Sequence, residues 1–186
     1  MIRVVMDTSS LISLGLINAL GIASKNIKII IPSTVRSELN EISLHDDRKG
    51  VGRKKQSLSQ HAKNAISLTH KEIGVVGVND SKMVEGLLSK DVNRGEAECF
   101  VCCIENKIKI LVMDDIDAAY RLEGHAIANG IKIRTSVAVL VHLRRQGVIS
   151  QSELEKYVRE LIKTRGWEGG ALEILAGRYI GKPSRT

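Results

Sequence analysis

Aromatic side chains make up only 3% of this 186-residue sequence. That scarcity excludes an interior built on aromatic stacking, so the core has to come from Ile, Val, Leu and Ala. The cysteines are three, Cys99, Cys102 and Cys103, all within one apolar segment. An odd, clustered set does not make a disulfide framework and fits a reducing cytoplasm. Cys99 and Cys102 form a CxxC, but no second pair and no nearby histidine completes a zinc site, so the thiols are expected to be buried and inert. No apolar run approaches the roughly 18 residues of a membrane span, and the first one is broken by Asp7 too early for a signal peptide. His45, His61, His70, His125 and His142 have no metal-ligand spacing and are read as surface or packing residues. No Ser/His/Asp set appears, and GVGRKK lacks the spacing of a phosphate-cradling loop. There is no internal repeat and no low-complexity segment.

What is present begins with charge. The hydrophobic fraction of 43% and charged fraction of 26% are ordinary for a globular fold, but the net charge is +7 and the sequence pI is about 9.4. That balance favours anionic partners, nucleic acid above all. Much of the excess sits in DRKGVGRKKQSLSQ, where Arg48, Lys49, Arg53, Lys54 and Lys55 are candidate nucleic-acid contacts on a mobile surface loop.

Strand-like and helix-like patterns alternate along the chain. Residues 2–6, 27–31, 73–78, 108–113 and 131–133 are short runs rich in Val and Ile, the composition of strands buried on both faces. Between them, Leu11, Leu14, Ile17 and Leu20 predict one helix ending near Gly21, and PSTVRSELNEI predicts a second with Ser33 or Thr34 as its cap. Further helices are expected in SLSQHAKNAISLTH, SKMVEGLLSK, NRGEAECFVCCIENK, AAYRLEGHAIANG and TSVAVLVHLRRQG, the last capped by Thr135 or Ser136. This order implies an α/β fold, a largely parallel sheet with helices on both faces. Residues 44 to about 72 form a polar, basic insertion. The segment from 150 to 186 forms a C-terminal helical extension. It opens with a capping-box pattern, Ser150 to Glu153, and carries Leu154, Tyr157, Val158, Leu161 and Ile162 on one face, which must pack on the domain or on a partner.

In an open parallel sheet, ligands bind outside the carboxyl ends of the strands. Asp7 ends the first strand. Asp114 and Asp115 follow the strand IKILVM, with Asp117 just beyond, and Glu38 and Glu96 lie near the starts of helices that face the same rim. Each has an ordinary structural explanation: Asp7 as an N-cap, Glu96 and Asp117 as acids favoured in a first helical turn. Together on one rim they would repel one another unless a cation lay between them, and oxygen ligands of this kind suit Mg²⁺ or Mn²⁺.

Four segments, MDTSSLI, SELNEI, RGEAE and ILVMDDIDAAYRLEGHAIANGIKI, resemble in order and spacing a PIN-domain protein, the metal-dependent nuclease fold of VapC-type toxins. The resemblance covers residues 1–149, with the basic insertion interrupting it. It implies a PIN-like three-layer α/β/α domain and a Mg²⁺- or Mn²⁺-dependent endoribonuclease. By that resemblance Asp7, Glu38, Glu96 and Asp115 are the catalytic acids. Asp7, Glu96 and Asp115 would hold the metal, directly or through water. Glu38 would do the same or orient the attacking water. Asp114 is the alternative to Asp115, because Met113 stands where the family commonly has Thr or Ser. Thr8 and Ser9 could bond a phosphate or a ligand carboxylate, or serve only as caps, and Asp117 is a further supporting acid. The resemblance implies RNA as the substrate, single-stranded or structured, an antitoxin-like protein partner by toxin–antitoxin analogy, and homodimers using the tail helix. Two rivals stand beside it. A PIN-like module could bind RNA or protein without turnover. A receiver-like or phosphatase-like domain is the other, but MDTSS has one aspartate where a DxD phosphatase motif needs two.

Overall fold

The computed structural model describes residues 1–44, 53–89 and 92–179. Five strands, β1 (Arg3–Met6), β2 (Lys28–Pro32), β3 (Gly74–Val76), β4 (Ile110–Val112) and β5 (Lys132–Arg134), form one sheet in the order β3-β2-β1-β4-β5. All four pairings are parallel, with Val5 opposite both Ile30 and Leu111. The five apolar runs of the sequence are these strands, each starting a residue or more later than its run; β2 and β5 also end one residue beyond it, at Pro32 and Arg134.

The helices are α1 (Thr8–Leu16), α2 (Leu20–Asn26), α3 (Ser33–Leu44), α4 (Arg53–Thr69), α5 (Ser81–Leu88), α6 (Arg94–Glu105), α7 (Ile116–Ala128), α8 (Ser136–Arg145), α9 (Gln151–Arg165) and α10 (Ala171–Gly177). Val4 and Val112 line the same cavity as Val139 and His142 of α8. By strand alternation Val5 and Leu111 turn to the opposite face, where α6 packs on β1, β2 and β4. The result is the three-layer α/β/α arrangement expected, with a wholly parallel sheet. Phe100 at the middle of α6 is 1% exposed, and Val5, Leu11, Leu14, Ile29 and Leu111 are fully buried.

Two expectations need correction. The helix read through Leu20 breaks in two, because Asn18 adopts a left-handed backbone (φ 56°), a conformation asparagine tolerates better than most residues. The basic stretch read as a mobile loop is, from Arg53 onward, the start of α4, which packs on α3 and α1. Ala62 and Ala65 are fully buried, and the Ser59 hydroxyl donates to the Ser43 carbonyl at 2.9 Å. The small residues along α4 let it approach α3, a signal masked in the sequence by the surrounding lysines.

The tail helix α9 has the predicted capping box, with the Ser150 hydroxyl accepting from the Glu153 N–H. Leu154, Val158, Leu161 and Ile162 are buried, and the helix rests on α1 and α8. Its apolar face is therefore covered by its own chain rather than left open for a second copy. All three cysteines are buried and unpaired, and burial pushes the Cys102 thiol up to about 11. Among the described residues no helix is long and apolar enough to cross a membrane.

Candidate active site

β1 is the central strand, and Asp7 follows it directly, its N–H donating to the Val112 carbonyl of β4 at 3.1 Å. Asp7 is buried, at 6% exposure. Its Oδ1 accepts from the Ser10 N–H at 2.8 Å and its Oδ2 from the Ser9 hydroxyl at 2.7 Å. Asp7 is thus the N-cap of α1, and the ordinary explanation for an aspartate there is realised. Capping alone does not account for the burial. Desolvation dominates, and despite the lowering effect of those hydrogen bonds it pushes the Asp7 pKa from its ordinary 3.8 up to about 7.

Around Asp7 lies a cleft of about 280 Å³ lined by Asp7, Thr8, Glu38, Gly95, Glu96 and Asp115, with Ser9, Ile12, Asn93 and Arg165 completing the wall. The four acids singled out in the sequence therefore come together, from β1, α3, α6 and the entry to α7. A larger cavity of about 630 Å³ between the sheet and α8 contains none of them.

Each acid is held by local structure. Glu38, one turn into α3, accepts through Oε2 a hydrogen bond from the Thr8 hydroxyl. It reaches the cleft by pressing against the first turn of α6, where a Cβ at Gly95 would overlap Glu38 Oε1 and stand 3.0 Å from its Cδ. Any larger residue there would displace the Glu38 carboxylate. Glu96 completes a capping box with Asn93: the Glu96 N–H donates to Asn93 Oδ1 at 3.0 Å, and the Asn93 N–H donates to Glu96 Oε2 at 3.2 Å. Desolvation raises the Glu96 pKa, helped by the Asp115 charge and opposed by the hydrogen bonds with Asn93 and, less strongly, by the Arg121 charge. Asp115 caps α7 through Oδ1, which accepts from the Ala118 N–H at 2.9 Å. Asp115 thus anchors the helix with one oxygen and faces the cleft as a cleft-lining residue.

Asp114, the alternative to Asp115, is placed differently. It is buried, with Oδ1 accepting from the Ser136 N–H at 2.8 Å, and it is not among the cleft-lining residues. Its N–H donates to the Ser9 hydroxyl at 3.3 Å, linking it to Asp7 indirectly. Asp117 occupies the first turn of α7, exposed. Of the basic candidates, Arg48 and Lys49 lie outside the described residues, and Arg53, Lys54 and Lys55 open α4.

Two polar side chains of the cleft, Asn93 and Arg165, were not singled out in the sequence. Asn93 precedes RGEAE and forms an N-x-x-E capping box, a pattern that could have been read. Arg165, at the end of α9, looks there like any cation favoured at a helix C-terminus.

The donor set fits a hard divalent cation: four carboxylates on one cleft, two of them, Asp7 and Glu96, desolvated by burial. Among the described residues no three of them are already gathered as a closed ligand group.

A family model described as DUF3368: PIN domain matches residues 3–171, and neither a curated protein nor a solved structure matches the chain. The chain belongs to this PIN-domain family and has its nuclease-type fold.

Proposed function

We propose that this PIN-domain protein is a metal-dependent nuclease that hydrolyses phosphodiester bonds in single-stranded or structured RNA. The observation that carries the reading is the convergence of Asp7, Glu38, Glu96 and Asp115 on one cleft at the carboxyl end of the sheet. Asp7, Glu96 and Asp115 would hold Mg²⁺ or Mn²⁺. A bound divalent cation supplies Lewis acidity toward a phosphate oxygen and makes a coordinated water more acidic. The chain's own residues do the rest. The caps on Asp7, Glu96 and Asp115 fix three carboxylates on three helix entries, so that the charge needed to attract the cation is already in place. Thr8 holds Glu38 at the rim, where it orients the attacking water. Ser9 keeps the Asp7 oxygen directed inward. The net charge of +7 draws the RNA backbone without reading its sequence.

The test is cleavage of a mixed pool of labelled single-stranded RNA, with DNA of the same sequences alongside, in Mn²⁺, in Mg²⁺ and in EDTA. Metal-dependent products from RNA that are lost in Asp7→Asn support the reading. A second reading, a PIN-like module that binds RNA or protein without turnover, is favoured by one observation: among the described residues no three acids are gathered as a ligand group. RNA retention with no product in any metal would select it. An antitoxin-like partner belongs to the same proposal, as does a homodimer formed through a surface other than the covered face of α9; light scattering of the purified chain, alone and with co-expressed partners, tests both.

A further inference from the structure

Among the described residues, one cation lines the acidic cleft. Arg165 lines it together with the four carboxylates, yet among the described residues no ion pair joins it to any of them, and its buried Nε has no hydrogen-bond partner there. A guanidinium is held here at the cost of an unmet buried donor.

Its position is built rather than incidental. Leu161 and Ile162 anchor the last turns of α9 in the core. Gly166 then ends the helix in the left-handed conformation (φ 68°), its N–H bonded to the Ile162 carbonyl, and the Trp167 N–H donates to the same carbonyl at 2.9 Å. Trp167 is packed against the core. The residue that points into the cleft is therefore the last of a helix locked on both sides.

A guanidinium that neutralised the carboxylates would pair with them. This one does not, and its fork of donors matches the oxygens of a phosphate. Resting on the nuclease reading above, the geometry points to Arg165 as the substrate-binding residue of the cleft, donating to a non-bridging oxygen of the RNA phosphodiester. The segment beyond residue 149 then belongs to the working site and is not an appendage to it.

The test uses the full chain and has three readouts. In cleavage with Mn²⁺, Arg165→Met is expected to lose about 100-fold in kcat/KM, and Arg165→Lys, which keeps charge and stem but not the fork, about 10-fold. In an Asp7→Asn background, binding of a labelled single-stranded RNA is expected to weaken about 10-fold on adding Arg165→Met, and the slope of log affinity against log salt to shrink by roughly 0.7, one phosphate contact. Stabilisation by Mn²⁺ alone, read as a melting shift, is expected to persist in Arg165→Met, which separates loss of a phosphate contact from collapse of the site. Unchanged RNA affinity and salt slope in both variants would overturn the assignment. If the unmodified protein cleaves nothing while the Arg165 variants still lose RNA binding, the nuclease reading fails and the phosphate contact stands. If it cleaves and the variants cleave equally well, the reverse holds.

Discussion

Asp7→Asn should stabilise the metal-free protein at alkaline pH while destroying its activity. The buried carboxylate has its pKa pushed from 3.8 to about 7. A group whose folded-state pKa is raised binds its proton more tightly in the fold. The resulting stabilisation is complete below about pH 4 and is lost as pH rises through about 7. The interval between 3.8 and about 7, at about 1.4 kcal/mol per pH unit, corresponds to about 4 kcal/mol that ionisation of Asp7 removes from the metal-free fold. Asparagine keeps Oδ1 as acceptor for the Ser10 N–H and removes the charge. Its amide requires the Ser9 hydroxyl, which now donates to Oδ2, to turn and accept, a rearrangement costing about 1 kcal/mol. The net gain near pH 8 is about 3 kcal/mol, or roughly 6–12 °C in Tm for a chain of this size. The assay is urea and thermal unfolding of both proteins in EDTA from about pH 5 to about pH 8. The difference between them isolates Asp7 from the remaining carboxylates. Mn²⁺ should raise the Tm of the unmodified protein and leave the variant unmoved. A variant less stable than the parent near pH 8, with no widening of the gap as pH rises, would refute the claim that Asp7 is held in the fold at a cost met by a cation.

Three further outcomes follow from the same geometry. Gly95→Ala places a methyl group on the Glu38 carboxylate; helix propensity favours the alanine by up to about 1 kcal/mol, so the Tm should change little while cleavage falls at least about 10-fold, and unchanged cleavage would show that Glu38 need not sit there. Asp114→Asn keeps an acceptor for the Ser136 N–H and should retain cleavage, whereas Asp115→Asn keeps the α7 cap and should lose both cleavage and the Mn²⁺-induced melting shift; the reverse pattern would reassign the acid. Phe100→Ala empties a site 1% exposed, edge-on to His125 at 6.2 Å between ring centroids, and should cost about 3–5 kcal/mol, read as a lowered urea midpoint.

The strands were legible because short β-branched runs have few other uses, and the rim acids because a carboxylate at the end of such a run is costly without a reason. Glu38 was the least obvious of them, since only its place nearer the helix start separates it from Glu41. Only the contact with Gly95 shows why the first of the two reaches the cleft. The break at Asn18 and the docking of α4 were hidden for a different reason. Each depends on tertiary contact, in one case a single left-handed residue, in the other alanines lost among lysines. Arg165 was invisible for a third reason: a cation in a last helical turn already has a sufficient local explanation, and only the fold reveals where that turn ends.

The same ambiguity runs through the acids, and it explains how the site is held. Asp7 and Asp115 cap helices, and Glu96 closes a capping box, so the capping explanation and the cation-binding one are both true of the same side chains. A carboxylate has two oxygens and about four lone-pair positions. A backbone N–H takes one and fixes the side chain, leaving the others for the cleft. Fixing each carboxylate to a helix entry lets like charges be held near one another without the side chains turning away to water, which is where repulsion would otherwise send them. It also means that alanine substitutions would confound loss of a cap, about 1 kcal/mol each, with loss of the site. The asparagine series separates the two, because it leaves the helix ends satisfied and takes away only the charge.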